Sequence, residues 1–295
     1  MKQRFILFLS MTLLWTACDV INPDEPIPAY LDIQPFSFTA GFGRGTDSHQ
    51  ITDAWVYIND TYHGTFTLPT TIPIISEGET KITIFPGIKD NGNSSTPDIY
   101  TLYQIYETTL DFQPNETFTI RPSTTYDDNV ILPIVEDFET GGNALNADLD
   151  ENPATIVRTT STEVFEGQRS GWIQLTRQDS FIVAGTAPRT DFPRQNATAY
   201  MELNYKSDVA MAISLIGLDQ ASQINFQSEF TRIINAKSSW NKIYLNFTQA
   251  FRDMEVQGDV DAYQVMVRTG IPFENGELSR EEADIFLDNM KIVHF

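Results

Sequence analysis

Hydrophobic and polar residues alternate along most of this chain, in short runs. In the N-terminal half the runs cover residues 30–38, 54–58, 65–68, 80–85, 102–112 and 117–120. Glycine, proline, asparagine and aspartate separate them, and no sustained helical spacing of apolar residues is present. A two-residue period with such breaks is typical of antiparallel β-sandwiches. We therefore predict an all-β protein with little helix.

The alternation continues in the C-terminal half, over residues 164–175, 199–205, 210–218, 240–247, 263–267 and 285–293. A polar segment, residues 121–128, separates the halves, and a new apolar run starts at Ile131. This shift in composition predicts two antiparallel sandwiches, residues 30–133 and residues 134–295. Both lengths are ordinary for a domain.

The first residues follow a different pattern, with two cations ahead of an apolar run over residues 5–15. That run has the length of a signal-peptide core and is too short for a permanent membrane-spanning helix. The sequence Leu14-Trp-Thr-Ala-Cys18 then resembles a bacterial lipobox, and its cysteine is the only one in the chain. The resemblance implies a signal peptide over residues 1–17 and diacylglyceryl and acyl chains on Cys18. A plain secretory signal with an incidental cysteine is the alternative.

Residues 18–29 form a polar segment that contains Pro23, Pro26 and Pro28. Proline keeps such a segment extended and unable to form a central strand, so it predicts a tether. The acidic residues soon after the cysteine resemble the export signals of surface lipoproteins in the Bacteroidetes. The resemblance implies a lipid-anchored outer-membrane protein on the cell surface, with the periplasmic face as the alternative.

The chain is strongly acidic, with 40 Asp and Glu residues, 19 Lys and Arg residues and a formal net charge of −21. Such a surface repels phosphate backbones and anionic lipids, so we predict no nucleic-acid partner and no membrane contact except through an anchor. The single cysteine excludes a disulfide framework and a thiolate metal site.

The sequence also predicts a protein without enzymatic activity. It has three histidines, no His-Glu-x-x-His pair and no Gly-x-Ser-x-Gly motif. The abundance of carboxylates leaves a paired-acid glycosidase open, but nothing marks a particular pair.

Residues 54–87 carry a hairpin pattern, with Asn59-Asp60 at the first turn and Glu77-Gly78-Glu79 at the second. This pattern is similar to PEGA-type and carboxypeptidase-regulatory-like sandwiches. The resemblance implies a spacer or an interaction module, in which the outward-facing aromatic residues form a candidate partner-binding patch.

The second half resembles galactose-binding-like jelly rolls, the fold of many carbohydrate-binding modules. The segments that carry the resemblance are residues 135–139, 164–175, 240–247 and 285–293. It implies a structural calcium ion, with carboxylate ligands from Glu139 and Asp288 and main-chain carbonyl ligands near Phe165 and Gln168. The alternative is that both acids are solvated or hydrogen-bonded without metal.

Glycan binding by this fold would require exposed aromatic rings with polar neighbours. Trp172 and Trp240 alternate with core residues, so we assign both to the core. The remaining binding candidates lie in or beside the loop of residues 186–194, and they are Phe181, Arg189, Asp191, Phe192, Arg194 and Tyr200. Arginine and aromatic residues favour a contact surface, and an ordinary long loop is the alternative.

These observations predict a non-catalytic outer-membrane lipoprotein that acts as a binding or scaffold subunit of an envelope complex for barrel-based assembly, secretion or uptake. A surface glycan-binding protein that uses the jelly-roll loops, or a cell-surface adhesin, is the alternative. Exposed aromatic rings on one jelly-roll face would favour glycan binding. A broad apolar patch shared by both domains would favour a scaffold, since monomers rarely expose one.

Overall fold

The computed structural model describes residues 25–193, 197–219, 224–257 and 260–295. Within these residues the chain forms 23 strands and one helix, which confirms the prediction of an all-β fold. None of the described helices is long and apolar enough to cross a membrane. The signal peptide, Cys18 and Arg194 lie outside the described residues.

The first sandwich is built from ten strands. They are β1 (Ala29–Ile33), β2 (Ser37–Thr39), β3 (Asp53–Ile58), β4 (Thr61–Thr67), β5 (Thr70–Ile74), β6 (Gly78–Lys89), β7 (Pro97–Ile99), β8 (Tyr106–Phe112), β9 (Thr117–Ile120) and β10 (Ser123–Thr125). The largest sheet has the order β4-β3-β6-β7, with β8 also paired to β6, and it faces the sheet β5-β1-β9 and the pair β10-β2 across the core.

Two strand pairs of this sandwich, β1 with β9 and β2 with β10, are parallel, whereas the sequence pattern predicted antiparallel pairing throughout. The pairs are parallel because β9 and β10, at the end of the sandwich, lie beside β1 and β2, at its beginning, and run in the same direction. The predicted turn between β3 and β4 has Asn59 and Asp60 at φ angles of 47° and 60°. These residue types tolerate the left-handed conformation that a two-residue hairpin turn requires.

The second sandwich contains the remaining strands and the helix. They are β11 (Ile131–Glu136), β12 (Ala147–Asp148), β13 (Arg158–Thr160), β14 (Ser170–Thr176), β15 (Phe181–Gly185), β16 (Ala199–Ser207), β17 (Met211–Leu218), β18 (Ile224–Ile234), β19 (Lys237–Asn246), α1 (Thr248–Gln257), β20 (Ala262–Gly270), β21 (Phe273–Glu274), β22 (Glu277–Leu278) and β23 (Glu282–His294). The sheet β13-β14-β23-β16-β19, to which β11 adds through β23, packs against the sheet β12-β15-β20-β17-β18, as in a jelly roll.

The helix α1 has no counterpart in the sequence prediction. Its buried apolar residues are Ala250, Phe251 and Met254, and three residues are too few to establish a helical period in the sequence. These three side chains cover one end of the second core.

The two sandwiches share a buried junction. Strand β16 is buried on both faces, because one face lines the core of its own sandwich and the other contacts the first sandwich. Tyr200, Tyr244 and Val293 of the second sandwich belong to the same hydrophobic cluster as the core of the first. The junction is therefore packed as an interior and not as a loose contact between domains.

A buried carboxylate, Glu202 on β16, lies at the centre of this junction and is fully inaccessible to solvent. Its Oε1 accepts hydrogen bonds from the phenol groups of Tyr100, at 2.9 Å, and Tyr126, at 3.0 Å. Its Oε2 lies 3.0 Å from Nζ of Lys242 on the neighbouring strand. The first sandwich thus supplies hydrogen-bond donors to a charge that the second sandwich buries.

The electrostatics of the junction depend on this carboxylate. Burial alone would raise the pKa of Glu202, but the charges of Lys242 and Lys291 and the hydrogen bonds hold it below its usual range. Lys291 is 1% exposed and donates to the carbonyl of Thr46 at 2.8 Å. Burial lowers the pKa of Lys291 to about 8, although Glu202 opposes that shift.

Main-chain hydrogen bonds also connect the sandwiches. The turn after β6 runs parallel to the end of β19, and Asn91 donates its N–H to the carbonyl of Tyr244 at 2.9 Å. The side-chain oxygen of Asn91 accepts the N–H of Asn246 at 3.0 Å. The first sandwich therefore covers part of the free edge of the sheet that ends in β19.

We expect Glu202→Gln to lower the free energy of unfolding by about 3–5 kcal/mol at pH 7, because it leaves buried lysine charge without its counter-charge. The folded-state pKa of Glu202 is lowered, so the stabilisation is present above the unfolded pKa and is lost as pH falls through the folded pKa. The gap between wild type and variant should therefore shrink in acid.

Urea unfolding at several pH values measures this gap. Glu107→Gln is the matched control, because Glu107 forms an exposed ion pair with Lys81 and should contribute little. Equal stability of the two variants at pH 7 would contradict the role assigned to Glu202.

Candidate functional site

The binding candidates named from the sequence do not form one exposed surface. Phe192 and Tyr200 are each only 4% exposed, which corrects the expectation that they are accessible. Phe192 packs in the second core between Phe251 and Tyr263. Tyr200 packs against Tyr100 in the junction, because its strand carries a second buried face.

The other candidates of this group are separate from one another. Arg189 and Asp191 pair with each other, with Nε of the arginine 2.7 Å from the carboxylate, and this hydrogen bond lowers the pKa of Asp191. The main chain of Arg189 pairs with Tyr263, which fixes the loop to β20. Phe181, at the start of β15, is 46% exposed. The loop thus presents an exposed Arg189–Asp191 ion pair, and the exposed ring of Phe181 lies outside it, at the far end of β15.

The two tryptophans lie on the outer face of the second sandwich, so their assignment to the core was wrong. On β14 the core residues are Ile173 and Leu175, and Trp172 therefore points to the opposite face, where it is half-buried. The same alternation applies to β19, where Ile243 and Leu245 line the core and Trp240 is half-buried on the other face.

Four aromatic residues on this outer face form a row, which we call the aromatic row: Trp172, Phe286, Trp240 and Phe165. Trp172 on β14 is in register with Phe286 on β23, and Phe286 is in register with Lys206 on β16. The ring of Trp240 on β19 lies 6.4 Å from Phe286 and 5.6 Å from Phe165. The row crosses four strands, a span of about 14 Å at the usual strand spacing.

Charged side chains fix the indole rings of the aromatic row. Nε1 of Trp172 donates to Asp284 at 2.9 Å, and Nε1 of Trp240 donates to Glu163 at 2.7 Å. Lys206 completes the arrangement, with its Nζ 2.6 Å from Glu163 and 5.8 Å from the centre of the Phe286 ring. The hydrogen bond from Lys206 lowers the pKa of Glu163, so this carboxylate stays charged beside the rings.

The aromatic row occupies only the part of the outer face that the first sandwich leaves open. Glu202 and Lys291 lie on the same face further along β16 and β23, and there the first sandwich buries them. One half of the outer sheet face is thus buried in the junction. The other half carries half-exposed rings with polar side chains beside them.

The sequence contains a signal for the aromatic row. Residues 173 and 175, and likewise 285 and 287, are apolar positions two residues apart. Trp172, just before the first pair, and Phe286, between the second pair, must then face the other way. Alternation cannot predict the pairing that aligns Trp172 with Phe286, since residues 114 positions apart in the sequence meet only in the fold.

A second site brings together the predicted calcium ligands. Glu139 and Asp288 line one cavity of about 360 Å³, together with three more carboxylates, Asp47, Asp137 and Glu166. Asp288 is 1% exposed, and its burial, with a smaller contribution from Glu166, raises its pKa to about 7. Five carboxylates are therefore crowded in this cavity, and burial disfavours the charged form of Asp288.

The ligand set fits calcium only in part. Glu139 accepts the main-chain N–H groups of Gln168 and Arg169 at 2.7 and 3.0 Å, and Asp288 accepts those of Phe165 and Glu166. The turn thus directs N–H groups toward both acids, where the resemblance implied carbonyl ligands. Across the described ranges, no three acidic, histidine or cysteine side chains are grouped closely enough to hold one ion. Calcium stays a prediction.

No family model matches the chain, and no curated protein matches it. Among solved structures, it is similar to the xylan-binding domain CBM22-1 of Xyn10C from Paenibacillus barcinonensis, with 12% identity over 56% of this chain and 94% of that one and a TM-score of 0.39. The CBM22-2 domain of the same protein gives 11% identity over 55% and 99%, at a TM-score of 0.39.

A structure described as a carbohydrate-binding module of the β-sandwich superfamily gives 13% identity over 92% of this chain and 99% of that one, also at a TM-score of 0.39. The similarity concerns the β-sandwich architecture and assigns no ligand to this chain.

The calcium prediction is tested by melting the protein after purification without chelator. We expect calcium to raise the melting temperature of EDTA-treated protein, because an ion that binds only the folded state stabilises it. Asp288→Asn should lose most of this rise, and Glu107→Gln, a carboxylate in the first sandwich, should retain it. Protein without bound calcium and with one melting temperature in calcium and EDTA would contradict the prediction.

Proposed function

We propose that this protein is a non-catalytic glycan-binding protein and that it binds an oligosaccharide along the aromatic row. The observation that carries the proposal is the set of half-exposed rings on one jelly-roll face, the feature that distinguishes glycan binding from a scaffold role. The site is the outer sheet face, not the loop of residues 186–194 suggested by the sequence.

The chemistry of the row suits a sugar chain. The C–H faces of a pyranose ring are apolar and pack on aromatic rings, while its hydroxyl groups at the rim need hydrogen-bond partners. Asp284, Glu163 and Lys206 lie beside the rings and offer both acceptors and donors. A span of about 14 Å accommodates several sugar units rather than one.

The orientation of the rings favours a twisted chain. Trp240 is tilted by 52° to Phe286 and by 59° to Phe165. A flat crystalline glycan surface would require coplanar rings to contact all of them at once. Tilted rings instead follow a single soluble chain that turns as it crosses the strands.

A scaffold role in an envelope complex is the second candidate, and an aromatic patch on the first sandwich favours it. Trp55, Tyr57, Tyr62 and Phe85 lie on the outer face of the β4-β3-β6 sheet with ring centres 5.3 to 5.9 Å apart. Tyr62 is 50% exposed. The aromatic side chains shared by both sandwiches, in contrast, are buried in the junction and face each other.

The location we propose is the outer membrane, with an anchor on Cys18, and the basis is the lipobox-like sequence. We expect Cys18→Ser to leave the protein in the soluble fraction of its bacterial host and to abolish incorporation of labelled palmitate. The wild type is expected in the membrane fraction and sensitive to external protease. Membrane association of the serine variant would contradict lipid anchoring.

Alanine variants of the row test glycan binding. We expect Trp172→Ala and Trp240→Ala each to weaken binding by about tenfold, because each removes one stacking surface, equivalent to about 1.4 kcal/mol. A polysaccharide array identifies the ligand, and titration calorimetry with its oligosaccharides measures the affinity.

Trp55→Ala is the matched control, since it removes an indole from the first sandwich and should leave affinity unchanged. Trp172→Phe retains a ring and should retain most of the binding, and melting curves confirm that each variant is folded. An array without binding, or equal losses in Trp55→Ala and Trp172→Ala, would overturn the proposal. A barrel protein recovered with the native lipoprotein at equal stoichiometry, and lost in Tyr62→Ala, would support the scaffold.

A further inference from the structure

The junction between the two sandwiches contains an open cavity of about 320 Å³. The first sandwich contributes Gln50 and residues of the turn after β6, and the second contributes the hairpin between β18 and β19 and part of β19 itself. Its volume lies within the range of small-molecule sites. Neither sandwich forms this cavity without the other.

The charge of this junction cavity is opposite to that of the protein. Three lysines, Lys89, Lys237 and Lys242, line it, and no carboxylate of a described residue does, although the chain has 40 acidic and 19 basic residues. Lys89 is paired with Asp53 at 2.8 Å, and Lys242 with Glu202 at 3.0 Å. Lys237 is exposed, and no ion pair joins it to another described residue. The cavity thus offers an anion a local positive site.

Two of these lysines are held by neighbouring carboxylates. The ammonium of Lys242 is buried and lies 3.0 Å from Oε2 of Glu202, and that of Lys89 lies 2.8 Å from Asp53. Lys237 is therefore the lining lysine whose ammonium can turn toward an anion in the cavity without breaking an ion pair between described residues.

The remaining lining matches hydroxyl groups. Its amide side chains are Gln50, Asn91, Asn235 and Asn241, and Ser94 adds a hydroxyl. Amides both donate and accept, as sugar hydroxyls do. The buried ring of Tyr205 lines the cavity as well, with its hydroxyl donating to the carbonyl of Asn235 at 3.2 Å.

We propose that the junction cavity binds a carboxylate-bearing sugar, such as a uronic acid residue of an acidic glycan. Lys237 would hold the carboxylate, and the amides would hold the hydroxyls. Trp240 of the aromatic row and Lys242 of the cavity lie two residues apart on the same face of β19, about 7 Å along the strand. One chain can thus stack on the row and place an acidic unit in the cavity, which deepens the proposed function.

The cavity is tested on the full chain with free sugars, independently of the row. Glucuronate, glucose and inorganic phosphate are titrated separately, and binding is followed by chemical-shift changes of the protein. We expect glucuronate to bind at least about tenfold more tightly than glucose, because only the acid carries a negative charge that pairs with Lys237. Equal affinity for both sugars would overturn the proposal. Phosphate binding as tight as that of glucuronate would also overturn it, since the cavity would then select only charge.

Charge variants locate the site. Lys237→Gln should weaken glucuronate binding by about fivefold to tenfold, and Lys237→Arg should retain it. Lys81→Gln removes a lysine of the first sandwich that is paired with Asp60 and Glu107, and it should change nothing. Lys237 is exposed, so its replacement leaves folding intact. Unchanged affinity in Lys237→Gln would place the sugar elsewhere and contradict the proposal.

The two proposals fail in different ways. Loss of the aromatic row in Trp172→Ala should weaken oligosaccharide binding and leave the affinity for free glucuronate unchanged. If glucuronate binds and no polysaccharide does, the cavity stands and the row does not. If neutral oligosaccharides bind through the row and glucuronate does not bind, the row stands and the cavity proposal is wrong.

Discussion

The buried charge of Glu202 organises this molecule. A carboxylate without access to water is stable only if donors and cations surround it, and here three tyrosines of the first sandwich and two lysines of the second do so. Removing the first sandwich would leave that charge without its three tyrosine donors. The described parts of the two sandwiches are therefore joined by a buried, charged and hydrogen-bonded interior, although their hydrophobic residues divide into two main cores. A packed junction of this kind pre-organises surfaces that both sandwiches contribute to, which reduces the entropy lost when a ligand binds.

This junction also determines which surfaces remain available. It covers one half of the outer face of the β14-β23-β16-β19 sheet and leaves the half that carries Trp172, Phe286 and Trp240. It also creates the lysine-lined cavity at the end of that face. Both candidate sites are thus consequences of how the sandwiches dock, and both are connected through β19. Under the two proposals, an extended ligand would contact the protein at two places along one strand, by stacking at one and by charge at the other.

Alternation in the sequence was sufficient to predict an all-β fold and most strands, because core residues such as Ile173 and Leu175 repeat at a period of two. It was insufficient where a strand is buried on both faces. Alternation predicts that Tyr200 on β16 faces outward, but the first sandwich covers it. The tryptophans show the converse error. Their residue type suggested burial, whereas the alternation of the core residues around them places both tryptophans on the outer face. The cavity could not be foreseen at all, because Lys89 and Lys237 are brought together only by docking.

The contact of Asn91 with Tyr244 has a consequence for solubility. Strand β19 is the last strand of its sheet, and a free edge of this kind pairs readily with another chain. The first sandwich lays its own main chain along part of that edge and so occupies the donors and acceptors that a second molecule would use. The first sandwich therefore protects this edge of the second sandwich from pairing with another molecule. A C-terminal sandwich produced alone would expose both this edge and a face that carries Tyr200, Tyr244 and the Glu202–Lys242 ion pair.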